Sequence, residues 1–382
     1  MIGNIISMAT AFLLSIAFAN IISQETYGEY RYILSIMTIL AITSLEGINV
    51  AIIQGVSKKS EGVFLNGLKT KLKYSFLGSI CSVFIAIYFW FQGNIEFTIS
   101  LLIIAFFLPL FKGGETYQYF LDGKKLFNKR VAYTTIIQIL STISIIITLL
   151  ITKNLIILIL IYFLSYSLLR MFFLFWTIKK NKPNKINDKK MIAYGKHLSL
   201  MGIINLITQQ IDNVFLFYFV GPIQLAIYSF AAFPIQHIRG PLKIIQELAI
   251  PKLSVRSEND IKKTLPKKLL KMTILIVFGI IIYIILAPYF FKIFYPQYIE
   301  SIPYSRLLAF TLLAFPMSMM VLSLQAKMKT KKLYKINILI PIIKIVLFAI
   351  LIPLYGILGV IIAILISQIF YFFIAYFFFK KM

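Results

Sequence analysis

Long apolar runs follow one another along almost the whole chain, and they limit the possible folds more than any other feature. Each run is roughly 20 residues long, which is the length of helix that crosses a hydrocarbon core of about 30 Å. Hydrophobic residues make up 60% of the sequence, above the roughly 45–50% of a soluble domain. No soluble fold could cover this much apolar surface. The sequence therefore predicts an all-α integral membrane protein.

About twelve runs are long enough to be transmembrane helices. They are residues 3–22, 30–54, 74–92, 97–121, 131–152, 155–178, 197–220, 225–250, 272–295, 302–326, 336–354 and 356–379. The polar segment 179–196 separates six spans from six, so we predict an N-terminal six-helix lobe over 1–178, a solvated basic cytoplasmic linker over 179–196 and a C-terminal six-helix lobe over 197–382. The first run lacks a basic flank and a small-residue cleavage site, which predicts a first span rather than a cleaved signal peptide.

The distribution of charge predicts the orientation of these spans. The chain has 39 Lys and Arg but only 13 Asp and Glu, a net charge of +26. Most of the basic residues lie in the connections after even-numbered spans and at the end of the chain, so the positive-inside rule puts both termini in the cytoplasm. This pattern explains the charge without a nucleic-acid partner. One Cys and two His leave little basis for a metal site, and we expect none.

Spans seven and eight form a hairpin with polar stripes. A Gly-Pro pair, Gly221 and Pro222, is typical of a tight turn between them. Charged groups at mid-bilayer cost several kcal/mol, so such stripes should face other helices or a water-filled cavity. At helical spacings of three and four, the stripe residues are Asn205, Gln209 and Asp212 on span seven, and Gln236, Arg239, Lys243 and Glu247 on span eight.

Several short motifs resemble the polysaccharide flippases, the Wzx-type O-antigen and capsule repeat-unit transporters of the multidrug/oligosaccharidyl-lipid/polysaccharide (MOP) superfamily. Residues 24–30, QETYGEY, are similar to the family's first outward hairpin, although the leading Gly-Pro is absent. The second half repeats the pattern with Asp212, then GPIQLAIY at 221–228 and PKLS at 251–254. The order of the motifs and the six-plus-six plan extend the resemblance over essentially the whole chain.

The resemblance implies two pseudo-symmetric six-helix lobes around a central cavity, lined by spans one, two, seven and eight. It implies a flippase that moves undecaprenyl-pyrophosphate-linked oligosaccharide repeat units from the cytoplasmic to the outer leaflet by alternating access. The expected location is the bacterial plasma membrane, and other polysaccharide-assembly membrane proteins are expected partners besides the lipid-linked substrate and the bilayer. No cofactor is expected other than a coupling H⁺ or Na⁺.

A pyrophosphate cargo requires cationic and hydrogen-bonding groups inside the spans. Arg239, near the middle of span eight, is the first candidate for contact with the headgroup. The further candidates for the cavity are Lys243, Lys344, Lys112, Gln209, Asn205 and Gln236. An internal ion pair is the alternative for Arg239, and Lys112 has a possible partner three residues away in Glu115. Arg170 and Arg306, near span ends, are predicted to extend toward the interface.

Three intramembrane carboxylates are candidates for ion coupling: Asp212, Glu46 and Glu115. A carboxylate inside a membrane is costly unless it is paired or protonated, so it can serve as a proton or Na⁺ site. For Asp212 the alternative is a structural pair with Arg239.

Two other functional classes are weighed against the flippase. A drug or cation antiporter of the same superfamily needs an acidic or aromatic cavity, whereas these spans contain more Lys and Arg than Asp and Glu. An integral-membrane glycosyltransferase, polymerase or ligase needs catalytic carboxylates in sizeable outward loops, and the predicted outward loops are short. We therefore expect a transporter and not an enzyme.

Overall fold

The computed structural model describes residues 2–186 and 188–382, apart from the side chains of Ile2, Asn4, Lys189, Ile244 and Glu247. Over these residues the chain is helical, with short turns and no strand. The first helices are α1 (Ile2–Ile21), α2 (Gln24–Leu40), α3 (Gly47–Ser57), α4 (Gly62–Phe91), α5 (Ile95–Gly114), α6 (Thr116–Gly123), α7 (Phe127–Ile151), α8 (Leu155–Asn181) and α9 (Lys189–Thr208). The later helices are α10 (Ile211–Val220), α11 (Pro222–Val255), α12 (Glu258–Phe294), α13 (Ser301–Ala309), α14 (Ala314–Ala326) and α15 (Thr330–Lys380).

The helices pack into two compact units, Met1–Gln210 and Ile211–Met382. We call them the N-terminal unit and the C-terminal unit. The boundary lies between α9 and α10, within the predicted seventh span. The helix α9 belongs to the N-terminal unit, where it packs mainly against α3. The predicted lobes over 1–178 and 197–382 differ from these units by the position of this one helix.

Most of the predicted spans correspond to long apolar helices. Among the described residues, eight helical stretches are long and apolar enough to cross a membrane: Gly62–Phe91, Ile95–Gly123, Phe127–Ile151, Leu155–Asn181, Lys190–Val220, Glu258–Phe294, Ser301–Ala326 and Thr330–Lys380. A ninth forms if α2, a 3₁₀ turn and α3 are one span with a 48° bend. The long helix α15 contains a kink at Gly356, whose φ is 55°, and so covers two predicted spans. The number of helices that cross the bilayer remains a prediction.

The exposed side chains of these helices explain why the chain needs a membrane. Phe84, Phe91, Leu150 and Leu275 are each at least 67% exposed, and many other large apolar side chains are also on the surface. Contiguous apolar surface on this scale is unstable in water but favourable against lipid. Because the backbone is helical, its N–H and C=O groups are satisfied within each span, as a hydrocarbon environment requires.

Short polar residues define where several helices begin. Ser23, Asn94, Asn154 and Ser257 each precede a helix, and each side chain accepts a hydrogen bond from a backbone N–H in its first turn. Such caps satisfy N–H groups that have no partner within the helix. The predicted turn between spans seven and eight is confirmed: α10 ends before Gly221, whose φ of 104° requires a glycine, and α11 begins at Pro222.

The polar segment 179–196, which the sequence predicts to be a solvated linker, is largely ordered against the N-terminal unit. The side-chain oxygen of Asn184 accepts from the backbone N–H of Glu61 (3.1 Å), and the Glu61 carboxylate accepts from the backbone N–H of Asn184 (3.0 Å). The N–H of Gly62 donates to the carbonyl oxygen of Ile186 (2.8 Å). A Cβ at Gly62 would lie 2.7 Å from this oxygen, so only glycine permits the approach.

Candidate functional site

Arg239 reaches from α11 to the turn between α13 and α14. Its Nη2 donates to the hydroxyl oxygen of Thr311 (2.5 Å) and lies 3.5 Å from the Thr311 carbonyl oxygen. The Thr311 hydroxyl donates in turn to the carbonyl oxygen of Leu308 (2.5 Å). This second bond directs the lone pairs of the Thr311 hydroxyl oxygen toward the Arg239 guanidinium. The Gln368 side chain donates to the Thr311 carbonyl (3.3 Å). Neutral groups, not a carboxylate, therefore hold the Arg239 head in position.

This guanidinium borders a cavity of about 380 Å³ inside the C-terminal unit, which we call the cationic pocket. Its walls come from α11, from the Thr311 turn with α14, and from the second part of α15. They are Arg239, Leu242, Lys243, Gln246, Thr311, Leu312, Ala314, Phe315, Ser318, Gln368 and Tyr371. None of these described lining residues is acidic, so the pocket has two positive charges and several uncharged hydrogen-bonding groups.

The contribution of α11 follows from helical periodicity. Arg239, Leu242, Lys243 and Gln246 recur at spacings of three and four and therefore share one face. Gln246 donates to the Ser318 hydroxyl (2.5 Å), which ties this face to α14. Two residues of the predicted stripe on span eight, Arg239 and Lys243, thus line a polar pocket.

The other stripe residues of α11 are not part of these described walls. Gln236, one turn before Arg239, is exposed and is not among the residues that line the pocket. The side chain of Glu247, which the sequence makes a possible partner of Lys243, lies outside the described residues.

Lys344 and Asp212 are electrostatic neighbours in the same unit. Lys344 lies on α15 with its ammonium 5.0 Å from the centre of the Phe348 ring, and Asp212 and Arg239 are close enough to act on its charge. Asp212 is buried and accepts hydrogen bonds from the Tyr228 hydroxyl (2.9 Å) and the backbone N–H of Asn213 (3.0 Å). The partner of Asp212 is thus a tyrosine, and not Arg239 as in the structural pair that the sequence analysis gives as the alternative.

The stripe predicted on span seven is not carried by one continuous helix. Asn205 lies on α9, which ends at Thr208, and Asp212 lies on α10, which begins at Ile211. Gln209, at the break, is exposed. Asn205 and Asp212 therefore lie on different helices, one in each unit.

The N-terminal unit contains an ionic cluster of Glu46, Lys71, Lys112, Glu115 and Arg170, which we call the N-terminal cluster. Lys112 lies 2.6 Å from the Glu46 carboxylate and 3.0 Å from that of Glu115. Lys71 lies 3.0 Å from Glu115 and 3.9 Å from Glu46. Arg170 lies 3.4 Å from Glu115. Each cation in this cluster therefore has a carboxylate partner.

The local backbone explains how these charges meet. Leu45 has a left-handed conformation (φ 59°) and separates the 3₁₀ turn after α2 from α3, which brings Glu46 to the bend of the span. The Lys71 ammonium also donates to Asn49 (2.8 Å). Arg170 stacks 3.9 Å from the centre of the Phe111 ring and donates to the Phe111 carbonyl (3.0 Å). This contact lies in the last turn of α5, where the helix dipole favours a cation.

Two predictions about basic residues were wrong. The predicted spans 30–54 and 74–92 put Lys71 in the cytoplasmic loop between them, but α4 begins at Gly62 and the Lys71 side chain is fully buried. Arg170 was expected to extend toward the interface, but it turns inward to Phe111 and Glu115. Both positions follow from neighbours that are distant in sequence. Lys112, Glu46 and Glu115, predicted for substrate or ion binding, are brought together here as mutual partners.

Comparisons with known proteins identify the family. A family model described as polysaccharide biosynthesis protein matches residues 1–254. The chain belongs to this family. No curated protein matches the sequence.

Solved structures with the same fold are transporters. An inward-facing multidrug resistance MATE family transporter of the MOP superfamily superposes with a TM-score of 0.71 at 14% identity, covering 98% of this chain and 94% of that chain. The lipid II flippase MurJ in its inward closed conformation gives 0.72 at 17% identity, covering 99% and 87%. A MOP superfamily transporter from Pyrococcus furiosus gives 0.64 at 13% identity, covering 99% and 94%. The chain is therefore a multi-pass membrane protein with the two-lobed MOP fold, as predicted.

Proposed function

We propose that this protein is a flippase that moves undecaprenyl-pyrophosphate-linked oligosaccharide repeat units across the bacterial plasma membrane. The units would pass from the cytoplasmic to the outer leaflet by alternating access and supply O-antigen or capsule-type polymers. Other membrane proteins of polysaccharide assembly would receive them. Family membership and the MOP fold support a transporter for a lipid-linked saccharide.

The observation that carries the proposal is the cationic pocket. Arg239 is held by the neutral Thr311, so its charge is not cancelled by a described carboxylate. Lys243 lies one turn further along the same wall. Arg and Lys together suit a pyrophosphate, because a guanidinium can contact two oxygens at once and an ammonium adds a point charge. Gln246, Ser318 and Gln368 offer the neutral hydrogen-bonding groups that sugar hydroxyls require.

The same pocket disfavours a drug or cation antiporter. A cationic cargo would be repelled by Arg239 and Lys243, because both line the same wall of the pocket and carry the same charge as the cargo. None of the described side chains that line the pocket would offset this repulsion. The charge of the pocket therefore favours an anionic cargo.

For energy coupling we propose Asp212 as the site of H⁺ or Na⁺ binding. It is buried, and it accepts hydrogen bonds from two uncharged groups, the Tyr228 hydroxyl and the backbone N–H of Asn213. Glu46 and Glu115 are weaker candidates because cations already lie within 3.0 Å of both. Lys344 interacts electrostatically with both Asp212 and Arg239. It would therefore couple ion binding at Asp212 to the charge of the cationic pocket.

The test is deletion of the gene in its native host, with surface polysaccharide resolved on a gel. Loss of polymer, restored by the wild-type gene and not by Arg239→Ala, is the expected result. Arg256→Ala is the matched control, because Arg256 is an exposed arginine at the end of the same helix. Membrane levels of each variant are measured in parallel.

Each outcome has a distinct meaning. Normal surface polymer after deletion would overturn the proposed function. Equal restoration by wild type and Arg239→Ala would keep the flippase and remove the cationic pocket from its mechanism. Export of organic cations by purified protein in vesicles, with no effect on polymer, would support the antiporter instead.

A further inference from the structure

A second cavity lies in the C-terminal unit, between the two parts of α15 that meet at the Gly356 kink. It has a volume of about 560 Å³, and we call it the α15 groove. Its walls are the first part of α15 near its start and the second part near its end. They are Tyr334, Lys335, Ile338, Leu339, Ile342, Phe373, Ile374, Phe377 and Phe378.

The α15 groove is apolar and is not filled by the protein's own side chains. Ile338 and Ile342 are 46% and 44% exposed on one wall, while Phe373 and Phe377 are 62% and 51% exposed on the other. A groove of this kind in a membrane-spanning helix pair suits a flexible hydrocarbon chain, because the chain can follow the gaps between side chains.

Basic residues crowd one end of the groove. Lys335 lines it and forms no hydrogen bond or ion pair with any residue that the structure describes. The Lys381 ammonium lies 4.2 Å from the centre of the Phe377 ring, which is itself part of the wall. Lys262, Lys329 and Lys381 are all close enough to act on Lys332.

Glu258, the carboxylate that acts on Lys332, is already engaged, because it lies 2.8 Å from Lys329. Lys332 is also occupied, since it donates to the carbonyl oxygens of Lys381 (2.6 Å) and Phe378 (3.3 Å) at the end of the helix. Lys335 and Lys381 thus remain to meet an anion where the apolar groove ends. Basic pockets between transmembrane helices on the cytoplasmic side are typical sites for anionic lipid headgroups.

We propose that the α15 groove binds an anionic glycerophospholipid of the cytoplasmic leaflet, with an acyl chain between the two parts of α15 and the phosphate on Lys335 and Lys381. The charge at the groove's end selects an anionic over a zwitterionic lipid. The groove shares no lining residue with the cationic pocket, so the site is separate from that of the transported substrate and does not depend on the proposed function.

The test uses the full-length protein purified in a neutral detergent. Native mass spectrometry counts bound phosphatidylglycerol and phosphatidylcholine of matched acyl chains, and thermal unfolding is followed in both lipids. Phosphatidylglycerol is expected to bind more tightly. Lys335→Gln with Lys381→Gln should weaken its binding by about 10-fold or more, since each lysine near a lipid phosphate contributes on the order of 5-fold.

The matched control is Lys179→Gln with Lys180→Gln, which removes two exposed lysines from the end of α8 in the other unit. It should leave phosphatidylglycerol binding within 2-fold. Ile338→Trp fills the groove without changing charge and should weaken both lipids.

Equal binding of the two lipids by wild type would overturn the proposal, and so would an equal loss in the lysine control. Displacement of phosphatidylglycerol by a polyprenyl phosphate at equal concentration would also overturn it, because the groove would then hold a polyprenyl chain. If the double lysine variant does not fold, Ile338→Trp and the lipid comparison on wild type still decide the matter.

Discussion

The N-terminal cluster and the cationic pocket are both built from charged side chains on long helices, but they balance those charges differently. In the N-terminal cluster, Lys71, Lys112 and Arg170 all lie within 3.4 Å of Glu115. In the cationic pocket, Arg239 meets a threonine hydroxyl. The first arrangement resembles a packed core, whereas the second leaves positive charge facing a cavity.

This difference separates structural from ligand-binding cations. A buried charge that loses its partner is strongly destabilising, so a cluster of mutual partners holds its helices in one arrangement. A cation without a carboxylate partner contributes less to the fold and retains its charge for an anion. Under the proposed function, burial and partners, more than the presence of Lys or Arg in a span, are therefore expected to separate substrate-binding residues from structural ones.

The largest effect is expected for Glu115→Gln. It would leave Lys71, Lys112 and Arg170 with one carboxylate among them and cost about 3–5 kcal/mol of folding free energy. The purified variant should unfold at a much lower temperature or fail to fold. Glu96→Gln, an exposed carboxylate in the first turn of α5, should cost under about 1 kcal/mol. A variant of Glu115 as stable as wild type would show that the cluster is not structural.

Arg239→Ala should have the opposite profile, with a large loss of transport and little change in thermal stability. Loss of a charged contact to a buried anionic group is worth about 2–5 kcal/mol, or roughly 30-fold or more in activity. Arg239→Lys, which keeps the charge but not the two-point contact, should retain part of the transport. A fall in unfolding temperature as large as that of Glu115→Gln would erase the distinction between the two regions.

A smaller effect is expected for Thr311→Val, which removes the hydroxyl that positions the Arg239 guanidinium. The guanidinium keeps its charge and the nearby carbonyl, so transport should fall by about 5-fold, less than the full value of a hydrogen bond to a charged group. Thr311→Ser retains the hydroxyl and should behave as wild type. If serine and valine variants are equally impaired, the methyl packing and not the hydrogen bond is responsible.

The smallest effect is expected at a more exposed ion pair. Arg130 and Asp122 lie 2.7 Å apart, with side chains 35% and 21% exposed. Solvent screens such a pair, and Arg130→Ala should cost under about 1 kcal/mol by thermal unfolding. A cost near that of Glu115→Gln would mean that exposure does not separate the two kinds of ion pair in this protein.

Hydrophobic runs predicted the helices well because lipid-facing spans must be apolar along their length. The wall formed by Arg239 and Lys243 was also predictable, since it depends only on spacing along one helix. The break between α9 and α10 was not, because Gln209 and Gln210 lie in an apolar stretch without a Gly or Pro to mark a boundary.

The N-terminal cluster was only half predictable. Lys112 and Glu115 are three residues apart, so their pairing could be read from one helix. The pairing of Lys71 could not be predicted, because the polar residues around it resemble a cytoplasmic loop. They gave no indication that α4 begins as early as Gly62. A signal did exist in Glu46 and Asn49, polar residues in an apolar span that require a partner on another helix. Which helix supplies it depends on packing, and the sequence pattern does not contain that information.

The two hydrogen bonds between Glu61 and Asn184 limit the positions at which foreign sequence can be inserted into this protein. A reporter domain or epitope placed at 182–186 would have to displace the reciprocal hydrogen bonds and the close approach at Gly62. The hairpin between α4 and α5 offers a better position. Gly93 there is exposed, and a Cβ built on it would meet no atom within 4 Å, so an insert has room. Because the φ of Gly93 is 75°, the glycine itself should be kept and the insert placed beside it. The segment 182–186, which the sequence presents as a linker, is thus a poor site for labelling, whereas the turn at Gly93 is a good one.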